Sequence, residues 1–579
     1  MRPERRVAAI GLDSAEWTLL ETLMASGDMP RLRALRERSA VAQLDNPDYR
    51  TGLVWEQFLA GLDAVGCGRT APICFDPTTY AVWQEGARLS PPFFATEPAL
   101  RSIVFDVPHL SLGTGVPGTI VTGWGGHDPG YPPAAQPPGL LREIERRIGF
   151  NPASGNDYEI VWNRPAAIDA LADALISGAG LRAEVAAWLQ QREPDWELFL
   201  TVMSEPHSVN EALWHGIDDG APVTPAGTNE LAQHRLRDVY RAVDAALGSM
   251  CDALPQGTDI VVFALHGSTR NKVDLASMVL LPELLYRLYA DGHEPLARQP
   301  DGDAWVAAGR PVVVPDPATS WPEYMAAAFA PSTAARPSWR RRVPAPLRAA
   351  YRRVRDRAAT ATDGAERVGA LGRPIPEETD RSPTEIGVPT SSVEWQTPSQ
   401  YRAHWPTMRA FALPTFSDGR VRINVRGRER DGVVAPEDFG GACDEVIAAV
   451  AACRDPRTGA PILDGAVRLR TDPFAAGPDA DLELQWSHAT DAWDHPDAGL
   501  IGPFPYRRTA GHSPRGFAFI AGDGIEARDL GPHEAIDVTP TILALLDREP
   551  PRPLRGQPLL PRRSHTAPGS KPTRDAEAP

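Results

Sequence analysis

The chain has 579 residues, 42% hydrophobic and 23% charged, an ordinary globular composition that excludes wholesale disorder. At about 150 residues per domain it has room for roughly two to four domains. The formal net charge of −16 excludes a general binder of nucleic acid polymers, because affinity for phosphate backbones comes from clustered Lys and Arg, but it leaves open a small phosphorylated substrate held at one site. The five cysteines, Cys67, Cys74, Cys251, Cys443 and Cys453, form no C-x-x-C pair, which argues against a disulfide scaffold or a cysteine-built zinc site and fits a reducing compartment.

In chain order, the first element is an apolar run, Val7–Leu12, broken at Asp13 and too short for a signal peptide. No window approaches the ~18–20 consecutive apolar residues of a membrane helix, so the expectation is a cytoplasmic protein with no transmembrane segment. Ser14–Arg38 has helical period, with Ser14 as the expected N-cap and a break at Gly27 before Pro30 restarts the helix. Further helices are predicted over Leu53–Leu59, Leu181–Gln191, Leu231–Leu254, Pro436–Cys453 and Val538–Asp547, and further strands over Leu198–Met203, Ile260–Leu265 and Phe517–Ile520. Continuous apolar strands alternating with helices predict an α/β fold, a mostly parallel sheet sandwiched by helices.

Proline clusters mark the joints. Residues 330–344 are rich in Pro, Ser and Arg, Leu347–Arg357 carries five arginines and reads as a solvated basic face, and residues 358–400 are loop-like. The expected organisation is core over 1–65, a cap or substrate-contact insertion over 66–175, core over 176–292, an irregular Pro/Arg-rich insertion over 293–404, core over 405–560 and a disordered polar tail over 561–579.

What stands at the end of each apolar run carries the chemistry. Val7–Leu12 ends in Asp13, Leu198–Met203 leads into His207 and Glu211, and Ile260–Leu265 ends in His266. Ligands of open α/β sheets bind beyond the carboxyl ends of the strands, and Asp, Glu and His are the oxygen and nitrogen donors of zinc and related cations. His207 and Glu211 are four apart, so on a helix they share a face. The pattern is that of a metal centre assembled from distant segments.

These residues resemble the alkaline phosphatase superfamily, in its type I phosphodiesterase/nucleotide pyrophosphatase branch. Ile10-Gly-Leu-Asp13 with Met29-Pro-Arg-Leu resembles the opening strand, first metal Asp and first helix. Thr51-Gly-Leu-Val-Trp55 resembles the nucleophile segment, Ser204-Glu-Pro-His207 through Glu211 and Trp214 the ligand helix, and Ala264-Leu-His266-Gly267 the Asp-His-Gly motif. Ala510-Gly-His512 resembles the late histidine loop, and Ile536–Leu546 the closing helix. A middle block, Ile423–Glu429 and Pro478–Leu484, also fits.

The resemblance implies a metal-dependent hydrolase, or phosphoryl-type transferase, acting on small phosphodiesters or phosphomonoesters. One or two divalent ions, zinc or manganese, would clamp the attacking and leaving oxygens. It implies Thr51 as nucleophile and Asp13, Thr51, His207, Glu211, His266 and His512 as metal ligands. Leu265 stands where the family has a carboxylate of the first ion, so that site is expected to be impaired, with Asn271 a candidate replacement oxygen; His207, Glu211 and His512 keep the second site intact in kind. His109, Trp124, His127 and Arg508, with Asn271, are candidate substrate contacts. Two other readings follow from the same residues. One is a degenerate member that binds a phosphorylated ligand or a partner without turnover. The other is a sulfate-ester hydrolase, disfavoured because no Cys/Ser-x-Pro-x-Arg motif surrounds Thr51.

Overall fold

The computed structural model describes residues 5–86, 91–110, 116–125, 133–154, 159–290, 305–306, 308–314, 319–329 and 390–561. Most of the 293–404 insertion, including the basic run, and nearly all of the polar tail lie outside the described residues.

Nine strands form the central sheet. They are β1 (Val7–Leu12), β2 (Ala40–Asp45), β3 (Ser102–Phe105), β4 (Thr119–Thr122), β5 (Ala134–Gln136), β6 (Leu198–Met203), β7 (Asp259–Ala264), β8 (Arg515–Ala521) and β9 (Arg528–Glu534), in the order β9-β2-β8-β7-β1-β6-β3-β4-β5. All but β5 and β8 run the same way. Every residue of β1 is buried because both sheet faces are covered, which is why the run is continuously apolar rather than alternating. Its pleat still sorts the side chains. Ala8, Ile10 and Leu12 join a core with α1 (Trp17–Ser26), α2 (Pro30–Glu37), α4 (Pro165–Arg192), α5 (Glu205–Leu213) and α6 (Asn229–Asp252). Val7 and Ala9 join another with α3 (Val54–Ala60) and α7 (Val538–Leu546). The α/β, mostly parallel fold expected from the sequence is the fold observed.

The helix N-cap is a correction. Ser14 has left-handed backbone (φ 55°), and the carboxylate of Glu16 caps α1 by accepting from the Leu19 amide at 2.7 Å. The break expected at Gly27 is observed: Gly27 closes α1 in the left-handed conformation (φ 84°), and Pro30 opens α2.

The layout of the cap also differs from the expected one. Strands β3 to β5 lie within the 66–175 segment read as a cap, yet they extend the central sheet. Within the 405–560 segment read as core, residues 515–546 join the central sheet and its helices, while Ala410–Leu413, Gly419–Ile423, Leu482–Trp486 and Leu463–Arg468 form a separate antiparallel sheet, adjacent in that order. The helix Phe439–Ala452 packs on it, and together they have their own apolar core. Hydrophobic pattern identifies strands but not which sheet they join, and that is the physical reason for both differences. Among the described residues, no helix is long and apolar enough to cross a membrane.

A candidate metal centre at the strand ends

Three carboxyl ends of the central sheet and one short ladder meet at the site. Asp13 follows β1, His266 follows β7, and β6 feeds α5, whose first turn holds Pro206, where its missing N–H costs nothing. The strand Ala510–Ser513 pairs antiparallel with Gly267–Arg270, setting His512 opposite Ser268.

The Nε2 atoms of His207 and His512 face each other at 3.1 Å, and His207 Nε2 lies 3.3 Å from a Glu211 carboxylate oxygen. The donor atoms of these three residues all fall within 4.8 Å of one another. Zinc bonds of about 2.0–2.1 Å place tetrahedral ligands roughly 3.3 Å apart, so the spacing suits one small cation. Glu211 is 2% exposed; Arg508 pairs with one of its oxygens, and neither oxygen has a well-formed hydrogen bond among the described residues. A buried carboxylate beside two facing imidazoles is a donor set that fits a divalent ion.

Asp13 holds this group from behind. Its Oδ2 accepts from His207 Nδ1 at 2.8 Å, which leaves Nε2 with a lone pair toward Glu211 and His512. Its Oδ1 accepts from the Trp55 indole at 2.8 Å and lies 3.4 Å from His266 Nε2. Burial alone would raise the Asp13 carboxyl, but the charges and hydrogen bonds of His207 and His266 prevail and hold it well below the usual carboxylate range. Burial, and then the charges of His266, His207 and Arg508, push the His512 imidazole well below its usual value, so it stays neutral.

The residues expected around a first ion do not fit one. Leu265, 2% exposed, belongs to the apolar core that also contains Trp55 and Phe263. The Trp55 indole occupies the Oδ1 side of Asp13, and Gly11 makes its room, since a Cβ there would lie 2.7 Å from the ring. The Thr51 hydroxyl donates to the Asp48 carbonyl at 2.8 Å and accepts from the Leu53 amide and Gln57 Nε2, each at 3.1 Å. That bonding is local capping chemistry, and it uses the amide that an anion at this turn would need. The strand carrying His512 packs against the Thr51 turn.

Other candidates fall into supporting places. Arg508 grips Asp274 through two nitrogens (2.8 and 3.0 Å) as well as pairing with Glu211. Asn271 Oδ1 accepts from the Val273 and Asp274 amides, both at 3.1 Å. Trp124 packs over the buried Arg182 guanidinium, 5.4 Å from its ring centroid. His109 stands in a left-handed turn (φ 59°) after β3, and His127 lies outside the described residues.

Several residues that sequence reasoning missed lock the strand ends together. Ser268 Oγ donates to the Ser14 carbonyl at 2.8 Å, and Asn210 Nδ2 donates to the same carbonyl at 3.1 Å and to Ser268 Oγ at 3.0 Å. Tyr240 in turn donates to Asn210 Oδ1 at 3.1 Å. Asn210 sits inside the recognised ligand segment, three residues after His207, and this spacing was the only signal available.

His215, 1% exposed in the turn after α5, lies 3.1 Å from the Thr228 hydroxyl, and burial pushes its imidazole from 6.5 down to about 4. Its stabilising contribution is complete above pH 6.5 and is lost as pH falls toward 4, because the unfolded chain takes the proton first. The loss amounts to about 3 kcal/mol. Urea unfolding across this range should show a shallower fall for His215→Gln than for wild type.

An α/β sheet with a His/Glu/His cluster at its strand ends is a scaffold that could hold a small cation. Residues 7–379 match the family model for type I phosphodiesterase / nucleotide pyrophosphatase. The chain belongs to that family, in the alkaline phosphatase superfamily. A search of curated proteins found no match. The matched stretch contains Asp13, Thr51, His207, Glu211 and His266 and ends before His512.

Proposed function

We propose that the protein is a metal-dependent phosphodiester hydrolase working with one ion, held by His207, Glu211 and His512. The observation that carries this reading is the facing pair of Nε2 atoms 3.1 Å apart beside the buried Glu211 carboxylate. Two imidazoles and one carboxylate suit zinc, with manganese the second choice. A bound divalent ion supplies Lewis acidity to a phosphoryl oxygen and lowers the pKa of an oxygen nucleophile. The chain's own residues set the geometry: Asp13 fixes the His207 tautomer, and Arg508 anchors Glu211 against Asp274. Thr51 is the family-derived nucleophile, and in that role its hydroxyl must leave Asp48 and turn toward the cluster.

A second reading, a family member that binds a phosphorylated ligand without turnover, is favoured by Leu265 and by the Trp55–Asp13 bond where the first ion would sit. Metal content by mass spectrometry and hydrolysis of bis(p-nitrophenyl) phosphate separate the two. The expected result is about one equivalent of zinc, with metal and activity both lost in His512→Ala and a kcat drop on the order of a hundredfold or more in Thr51→Ala. Protein that stays metal-free and inactive after zinc and manganese are supplied would establish the binding reading. Full activity in Thr51→Ala with metal retained would remove Thr51 from the chemistry and leave water as the nucleophile.

A further inference from the structure

Beside the cluster lies a small open cleft lined by Asn271, Lys272, Asp274, Tyr506, Arg507 and Arg508, among others, whose enclosed space of about 10 Å³ has room for one water. Ligand pockets for whole small molecules begin at about 300 Å³, so a group held here meets the cleft at its open mouth rather than being enclosed by it. It abuts the metal-binding strand: Asn271 packs on Gly511, the neighbour of His512, and Arg508 reaches from the cleft to Glu211.

The charges in this cleft are unevenly matched. Arg508 is committed to Asp274 and Glu211, and Arg507 to Glu159 and Asp274. Lys272, half-buried, makes no close ion pair or hydrogen bond among the described residues; its charge acts on Asp418, which is itself paired with Arg50. The Tyr506 hydroxyl, on a side chain 4% exposed, has no partner either. Burial, and then the charge of Asp491, keep that phenol protonated and therefore a donor. Of the 59 basic residues in the chain only two are lysines, Lys272 and Lys571, the latter outside the described residues. The cleft therefore holds a compact ammonium in a protein whose other described cations are guanidiniums, and an ammonium is a point charge that meets an anion without a planar fork.

We propose that this cleft is an anion subsite, in which Lys272 and the Tyr506 hydroxyl hold a second anionic group, a phosphate or a carboxylate, carried by the substrate at a distance from the ester that is cut. That this anion belongs to a substrate rests on the hydrolase reading above. The subsite selects esters with a charged alcohol portion, and it needs no residue of the metal cluster to bind its anion.

The test uses the full chain loaded with zinc and three p-nitrophenyl phosphodiesters, whose second group is phenyl, 4-carboxyphenyl or 4-phosphonophenyl. A charge-assisted contact predicts a KM about tenfold or more lower for the charged esters than for the phenyl ester. In Lys272→Met that ratio should fall to within about twofold, and Tyr506→Phe should lose part of it. Whichever charged ester is preferred identifies carboxylate or phosphate as the group. Equal KM for all three esters in wild type, or an unchanged ratio in Lys272→Met, overturns the subsite. If no ester is cleaved, the hydrolase reading fails and sulfate binding to the metal-free full chain decides the subsite alone. Calorimetric affinity about tenfold weaker in Lys272→Met supports it, and the same affinity in both proteins, or no binding, overturns it.

Discussion

Asp13→Asn is expected to weaken zinc binding by about 10- to 100-fold and to lower activity in step, although Asp13 is not placed as a ligand. The aspartate presents two acceptors, one to His207 Nδ1 and one to the Trp55 indole, both at 2.8 Å. Asparagine offers one acceptor and one donor in the same outline, so one of two N–H groups loses its bond. If the indole keeps the carbonyl, the amide nitrogen faces His207 Nδ1 and drives the ring proton to Nε2. That nitrogen is the one turned toward Glu211 and His512, and protonated it offers no lone pair to a cation. Competition with a fluorescent zinc chelator reads the affinity directly. The result that counts against the arrangement is unchanged affinity in Asp13→Asn alongside a large loss in His207→Ala, since Asp13 would then be a packing residue only. A loss matched in size to that of His207→Ala would instead make Asp13 a ligand, as the family pattern expects.

The sequence was legible where one strand end and one side chain sufficed. Val7–Leu12, Leu198–Met203 and the run ending at Ala264 were recognisable because a strand covered on both faces must be continuously apolar. The Asp, His and Glu after those runs were recognisable because open α/β sheets bind ligands there. What could not be read was which group fills the space beside Asp13. Leu265 announced a missing carboxylate, but nothing in Thr51-Gly-Leu-Val-Trp55 says that an indole would close on Asp13, because that depends on the absence of a side chain at Gly11 on another strand. Ser14 illustrates the same limit. A serine before a helical run reads as a cap, yet its backbone is turned to φ 55° so that its carbonyl meets Ser268 and Asn210, residues roughly two hundred and more positions away. The strands within 66–175 went unassigned to the central sheet for a related reason: short strands look alike whichever sheet completes them.

Arg182→Met is expected to destabilise the protein by about 3–5 kcal/mol, a large share of the roughly 5–15 kcal/mol that holds a typical domain folded. Arg182 has no solvent exposure. Its guanidinium donates to Glu205 Oε1, Asp106 Oδ2 and the Val202 carbonyl, each at 2.9 Å, and to Ser204 Oγ at 3.3 Å. It therefore ties α4 to the ends of β3 and β6 and to the first residue of α5. Methionine matches the aliphatic stem but leaves the carboxylates of Asp106 and Glu205, each 1% exposed at the side chain, without their cation. Asp106 keeps the Trp124 and Gly125 amides at 2.9 and 3.0 Å, so Glu205 bears most of the loss. Glu205 opens the helix that carries His207 two residues later, and the damage should extend to the proposed metal centre as well as to stability. Urea unfolding reads the first effect, and zinc affinity of the folded fraction reads the second. The double variant Arg182→Met/Glu205→Gln should recover part of the stability, because neutralising Glu205 removes a buried charge that has lost its partner. A single variant that unfolds within about 1 kcal/mol of wild type would mean the two carboxylates take up protons or water without cost. The buried arginine would then not be what fixes α5 on the sheet.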